Sequence, residues 1–200
     1  MQEEEIRRAL EFCMTGEEKF RLNGEELGFN MVDYWSFCYS NVFDEHGAIA
    51  EFVVAKALGL ERPTNKKQWT LYDIRYRNKR VEVKVTAYYH SFNDELEISQ
   101  ARVFGIPRKE GKEYLNDELV VGDFVRQNDV YVFCLIKGMT LEDSYPLNLN
   151  NWEFYVVPTS TINELAREQK TISLGRVREI AAPITYDQIK GAVDDIIDDL

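Results

Sequence analysis

Residues 71–89, LYDIRYRNKRVEVKVTAYY, carry the pattern on which the fold turns. Apolar and polar residues alternate on both sides of the Arg77-Asn78-Lys79-Arg80 link, and in a strand alternate side chains share a face. Asn78 suits a turn because it tolerates left-handed backbone. With the turn centred between Asn78 and Lys79, Tyr76 is expected opposite Val81, Ile74 opposite Val83 and Tyr72 opposite Val85. Those residues form one apolar face. The other face then carries Asp73 across from Lys84 and Arg75 across from Glu82. A slip of one residue would exchange the two faces and bury the charges, so the apolar pattern decides which residues stand together.

Two carboxylates and a lysine on one face suit metal-assisted hydrolysis of a phosphodiester. Asp73 and Glu82 are hard oxygen ligands of the kind that Mg²⁺ or Mn²⁺ takes, and the backbone carbonyl of Val83 is a candidate third. Lys84 is the candidate to orient or help deprotonate the attacking water and to stabilise charge growing on the phosphate. A plainer account uses the same residues as cross-strand ion pairs on a solvated face, each contributing well under about 1 kcal/mol.

Outward from the hairpin, Ile49, Phe52, Val53 and Ala57 recur on one helical face, which predicts a helix from a cap at Asp44 to Ala57 or Leu58, stopped by Gly59. LEISQARVF reads as a further strand and residues 106–128 as a loop-rich insertion. DVYVFCLI (129–136) is uniformly apolar and is expected to be a buried strand, with WEFYVVP (152–158) beside it. Residues 159–167 predict a short helix. Thr185 with Gln188 forms a capping box that opens an acidic amphipathic helix through Ile189, Val193, Ile196 and Ile197. Residues 2–13 and 16–27 are expected to be helical, and the apolar cluster between Met31 and Cys38 to pack. The whole is an α/β chain of one domain, residues 1–200, in which a helical N-terminal extension (1–43) packs on a core (44–200) with a mixed central sheet flanked by helices.

The segments GAIAEFVVAKALGL and WTLYDIRYRNKRVEVKVTAYYHS resemble the PD-(D/E)xK phosphodiesterase superfamily, which has the restriction-endonuclease-like fold. Within it they look like a bacterial family with an AEF-type helix glutamate, a YD pair on the next strand, and an EVK strand followed by a small residue and tyrosine. NDVYVFCLI and LNLNNWEFYVVPTS extend the likeness, so that it runs from His46 to about Ile189. The resemblance implies a mixed four-stranded sheet flanked by helices and a metal-dependent, endonuclease-like hydrolase. Asp73 matches the motif aspartate, Glu82 the second acid and Lys84 the lysine; Glu51 matches the helix glutamate that joins the metal site. Tyr72 stands where the superfamily name has proline, a residue that ligates nothing. Some proteins of this fold bind without cutting, so the alternative function is a non-catalytic nucleic-acid-binding or protein-assembly module.

Composition agrees with a packed, non-secreted protein. The 200 residues are 44% hydrophobic and 12% aromatic, which excludes a disordered chain. No run approaches the roughly 18 apolar residues of a membrane span, and MQEEEIRR lacks the basic start and apolar stretch of a signal peptide. Cys13, Cys38 and Cys134 are odd in number with no CxxC pair, so reduced thiols in a cytoplasmic protein are expected. His46 and His90 make neither an HxH nor an HExxH spacing, and no glycine-rich phosphate loop is present.

The net charge of −11 argues against a polyanionic partner until its distribution is considered. Residues 62–84 hold eight Lys and Arg against two acids, while acids crowd residues 1–51 and the C-terminal DDIIDDL. Arg75, Arg77, Lys79 and Arg80, with His90, are therefore the candidate contacts to nucleic acid, DNA before RNA. A solvated hairpin rim is the alternative. Cutting both strands of a duplex would make a homodimer the natural assembly, and no membrane partner is expected.

Overall fold

The computed structural model describes residues 15–39, 45–60, 72–92, 95–98, 102–115, 118–140 and 142–200, with backbone alone at 90–92, 95–98, 111–115 and 118–122. The helix expected over 2–13, the cap at Asp44 and the side chain of His90 lie outside what is described. The chain divides into two compact units, Met1–Val42 and Phe43–Leu200.

In the first unit, β1 (Lys19–Leu22) and β2 (Glu25–Asn30) form an antiparallel hairpin that leads into helix α1 (Met31–Cys38). The hairpin overturns the helix expected over 16–27. The cause is Asn23-Gly24, whose φ values of 53° and 88° are the left-handed pair that a tight hairpin turn needs. Glu26 then pairs with Arg21 (2.9 Å) and Lys19 (3.5 Å) across strands, so the charges that suggested a helix serve a ladder instead. The Phe20 and Phe29 rings meet at a tilt, with centroids 5.0 Å apart. Asn30 opens α1 in a reciprocal capping box with Asp33, and no residue of α1 is buried, unlike the packed cluster expected there.

The second unit begins with α2 (His46–Ala57), followed by β3 (Ile74–Tyr76) and β4 (Lys79–Ala87). Next come a small hairpin of β5 (Tyr89–Phe92) and β6 (Glu95–Ile98), strand β7 (Val103–Gly105), and a longer hairpin of β8 (Lys109–Leu115) and β9 (Glu118–Val125). That hairpin occupies the stretch expected to be loop. Then follow β10 (Val130–Ile136), β11 (Trp152–Pro158), α3 (Thr159–Ala166), β12 (Thr171–Ser173), α4 (Leu174–Ile180) and α5 (Ile189–Asp198). The capping box of Thr185 and Gln188 opens the last helix through a short 3-10 turn, as its sequence predicts.

The central sheet has strand order β11-β10-β4-β3. β10 runs parallel to β4 and antiparallel to β11, and every residue of β10 is buried. Its uniform apolarity follows from its place between two strands and two covered faces. Val81 and Val83 of β4 join Val130, Val132 and Cys134 on one face, against Ala50, Val53 and Val54 of α2 and Ile189 and Val193 of α5. Tyr131, Phe133 and Leu135 point the other way, against Ile162 of α3, Val177 of α4 and Phe104 of β7. The molecule is thus a mixed α/β structure with helices on both sides of a four-stranded mixed sheet.

The β3–β4 register differs from the expected one by two residues. Ile74 faces Val81, Arg75 faces Arg80 and Tyr76 faces Lys79, because Arg77 and Asn78 (φ 47° and 63°) close a two-residue turn. The four-residue link expected from the sequence is two residues too long. Since two is the side-chain period, every residue keeps its expected face while its partner changes.

Candidate functional site

On the face opposite α2, β4 carries Glu82 and Lys84, and the bend before β3 supplies Asp73. In the shortened register Ile74 faces Val81, so Asp73, just before β3, lies against the Val81–Val83 stretch of β4 rather than across from Lys84. Asp73 sits where β3 gives out: its N–H donates to the Val81 carbonyl (3.2 Å), and its Oδ2 accepts the N–H of Val83 (2.8 Å). The carboxylate thereby takes the place of a missing strand carbonyl. Neighbouring peptide groups of a strand point to opposite sides, so the Val83 carbonyl is directed to the same side as its N–H, toward Asp73.

Lys84 lies between the two acids, its Nζ 2.5 Å from Glu82 Oε1 and 4.0 Å from Asp73 Oδ2. Glu82 is only 8% exposed. Burial pushes its carboxyl above the usual range, and the Asp73 charge pushes the same way, against the pull of Lys84. Two acids with one lysine within ion-pair distance form a cluster short of directly paired positive charge, which an added cation would relieve.

Glu51 is half-buried on α2, the helix that covers the Val81 and Val83 face, whereas Asp73 and Glu82 belong to the opposite side. Among the described residues no group of three or more His, Cys, Asp and Glu side chains is placed to hold one metal ion. The oxygens brought together are those of Asp73 and Glu82, with the Val83 carbonyl beside them.

The basic rim is partly engaged within the protein. Arg77, on the turn, pairs with Asp194 (3.0 Å) and Asp198 (2.7 Å) of α5, so the acidic C-terminal helix neutralises it. Tyr76 donates its hydroxyl hydrogen to the same Asp194, and Lys190 reaches it as well (2.5 Å). Arg80 lies over the Tyr72 ring and donates to the Gln127 carbonyl (3.2 Å), while its backbone N–H donates to Asp129 (2.8 Å). Arg75 is exposed and Lys79 half-buried.

The structure adds residues that no sequence pattern singled out. Tyr131 on β10 stands beside Glu82 in register. Arg126 and Asn128, just before β10, are buried at 5% and 7% exposure, and with Glu82, Tyr131 and Lys109 they line one narrow cleft. The only sequence signal was a polar VRQND abutting the most apolar strand. No family model, curated protein or solved structure matches the chain.

Proposed function

We propose that the protein is a metal-dependent nuclease, endonuclease-like, hydrolysing phosphodiester bonds in DNA in preference to RNA. The carrying observation is the convergence of Asp73, Glu82 and Lys84 on one partly covered sheet face, with Lys84 within 2.5 Å of one acid and 4.0 Å of the other. The mixed sheet with helices on both faces is compatible with the restriction-endonuclease-like fold that the motifs resemble. The donor set fits Mg²⁺ or Mn²⁺: two carboxylates and a peptide carbonyl are hard oxygens, and Glu82 carries a charge that its burial disfavours. Bound there, the ion would supply Lewis acidity toward the phosphate and lower the pKa of a coordinated water.

The chain's own residues do the rest. Asp73, tethered by the Val83 N–H, holds one fixed oxygen position. Glu82 supplies a second from a wall that excludes bulk water. Lys84 is placed to hold the attacking water and to offset charge on the phosphate as it grows. Arg75 and Lys79, on the hairpin next to the acids, are the rim cations left to meet the flanking backbone.

The test is calorimetric titration of the wild type with Mg²⁺ and Mn²⁺, followed by incubation with single- and double-stranded DNA and RNA. Binding and cleavage in the wild type, both lost in Asp73→Ala, are the expected result. If the folded protein neither binds metal nor cuts, the reading fails. The second reading, a non-catalytic nucleic-acid-binding or assembly module, is favoured by the Lys84–Glu82 contact, which already neutralises one acid. It requires nucleic-acid affinity that survives the joint Glu82→Ala and Lys84→Ala substitution without any cleavage in the wild type.

A further inference from the structure

We propose that Lys109, at the base of the β8–β9 hairpin, is a substrate-binding residue that takes a backbone phosphate of the nucleic acid at the mouth of the cleft beside Glu82, with the buried charge of Arg126 behind it. The inference rests on the nuclease reading and names a subsite of that site.

The first support is position. Lys109, Arg126, Asn128 and Tyr131 line a single cleft with Glu82, so any group entering it arrives next to that acid. The cleft is too narrow for a nucleobase, which selects a phosphate oxygen and makes the contact independent of sequence.

The second is an uncompensated cation. Arg126 is 5% exposed, and its guanidinium donates to the carbonyls of Ile106 (2.9 Å) and Gln169 (3.0 Å) and to Asn163 Oδ1 (2.8 Å). All three acceptors are neutral. They fix the guanidinium plane but leave its full charge in a poorly solvated wall, where a charge without a counterion is costly. Among the described residues no carboxylate forms an ion pair with it. Glu168, the acid that acts on it from farther away, is held by Arg108 at 2.6 Å.

The third is Lys109 itself, which is exposed, makes no ion pair among the described residues, and acts on Glu82 through its charge. Gln127 pins the backbone beneath it by donating to the Lys109 carbonyl (3.3 Å) and the Asp123 carbonyl (2.9 Å). An exposed ammonium on a tethered base, backed by a fixed guanidinium, is an anion-binding arrangement. It stands on the β10 side of Glu82, whereas Lys84 bridges toward Asp73.

The test uses full-length protein with Ca²⁺ and short labelled single-stranded and duplex DNA, followed by fluorescence anisotropy across a salt series. Lys109→Ala is expected to weaken binding about tenfold and to reduce the slope of log affinity against log salt by about 0.9, the signature of one lost phosphate contact. Lys109→Arg should restore both, which separates the effect from misfolding, and Lys137→Ala, beyond the far end of β10, should change neither. Calorimetric Mg²⁺ affinity of Lys109→Ala should be undiminished. Wild-type affinity and slope in Lys109→Ala would overturn the subsite while leaving the nuclease reading intact. A wild type that binds no nucleic acid would overturn both.

Discussion

One hairpin carries two charge clusters, and they are built on opposite principles. At its turn, Asp194 accepts from Tyr76, Arg77 and Lys190, and these donors hold its carboxyl down at about 2. At its base, Glu82 and Asp73 share the one ammonium of Lys84, and burial and mutual repulsion raise the Glu82 carboxyl. The first cluster has more donors than its acid needs and ties α5 to the β3–β4 turn. The second is left with more negative charge than its own cation can satisfy. A surplus of acid in a sheltered place is what a cation-binding site requires, and a balanced cluster is what a structural clamp requires. Proximity of opposite charges alone does not separate the two; the balance of donors and burial does.

The contrast can be broken most sharply at Lys84. Lys84→Ala is expected to lower the cleavage rate about 10²- to 10³-fold while metal binding persists, because the acids remain and the water-positioning cation is gone. Single-turnover kinetics with parallel calorimetry would measure this, and a variant that cuts at the wild-type rate would reduce Lys84 to an ion-pair partner.

At the turn the expected effect is on stability alone. Asp194→Asn should cost about 1 kcal/mol at neutral pH, discounted for the partial exposure of Arg77 and Lys190, with metal binding unchanged. Because the folded-state carboxyl is depressed from 3.8 to about 2, its contribution is present above 3.8 and lost as pH falls through about 2. Wild type and variant should therefore converge in acid when unfolding is followed by circular dichroism. A constant gap down to pH 2 would show that shape, not charge, is what Asp194 supplies.

The smallest effect belongs to Glu82, and its sign is opposite. A carboxyl raised by folding stabilises as the neutral acid, so its contribution is present below the usual carboxylate range and lost as pH rises through its raised value. Metal-free Glu82→Gln should then be no less stable than the wild type at neutral pH, within about 1 kcal/mol, and the balance should shift toward the wild type in acid. Chemical denaturation at several pH values would check this. A loss at neutral pH comparable to that of Asp194→Asn would make the two clusters alike.

Much of the fold was legible. Alternation from Val81 onward and unbroken apolarity in 130–136 announced β4 and β10, and the Thr185–Gln188 box announced α5. Less was legible where local charge patterns compete. The Glu and Lys residues of 16–27 suggested a helix, although the left-handed Asn23-Gly24 pair dictates a hairpin. In 109–125 the strands exist because each pairs with the other, a fact that no single strand declares.

For the site, period-two alternation by itself determined that Asp73, Glu82 and Lys84 share a face, because any even shift in register preserves it. Only the tertiary structure decided which of them touch. The two-residue turn at Arg77-Asn78 brought Asp73 against Val81 and Val83, α5 drew Arg77 away from the rim, and β10 seated Tyr131 beside Glu82. Side-chain direction is a property of the local backbone. Distance, burial and charge balance belong to segments far apart in the chain, and packing alone sets them.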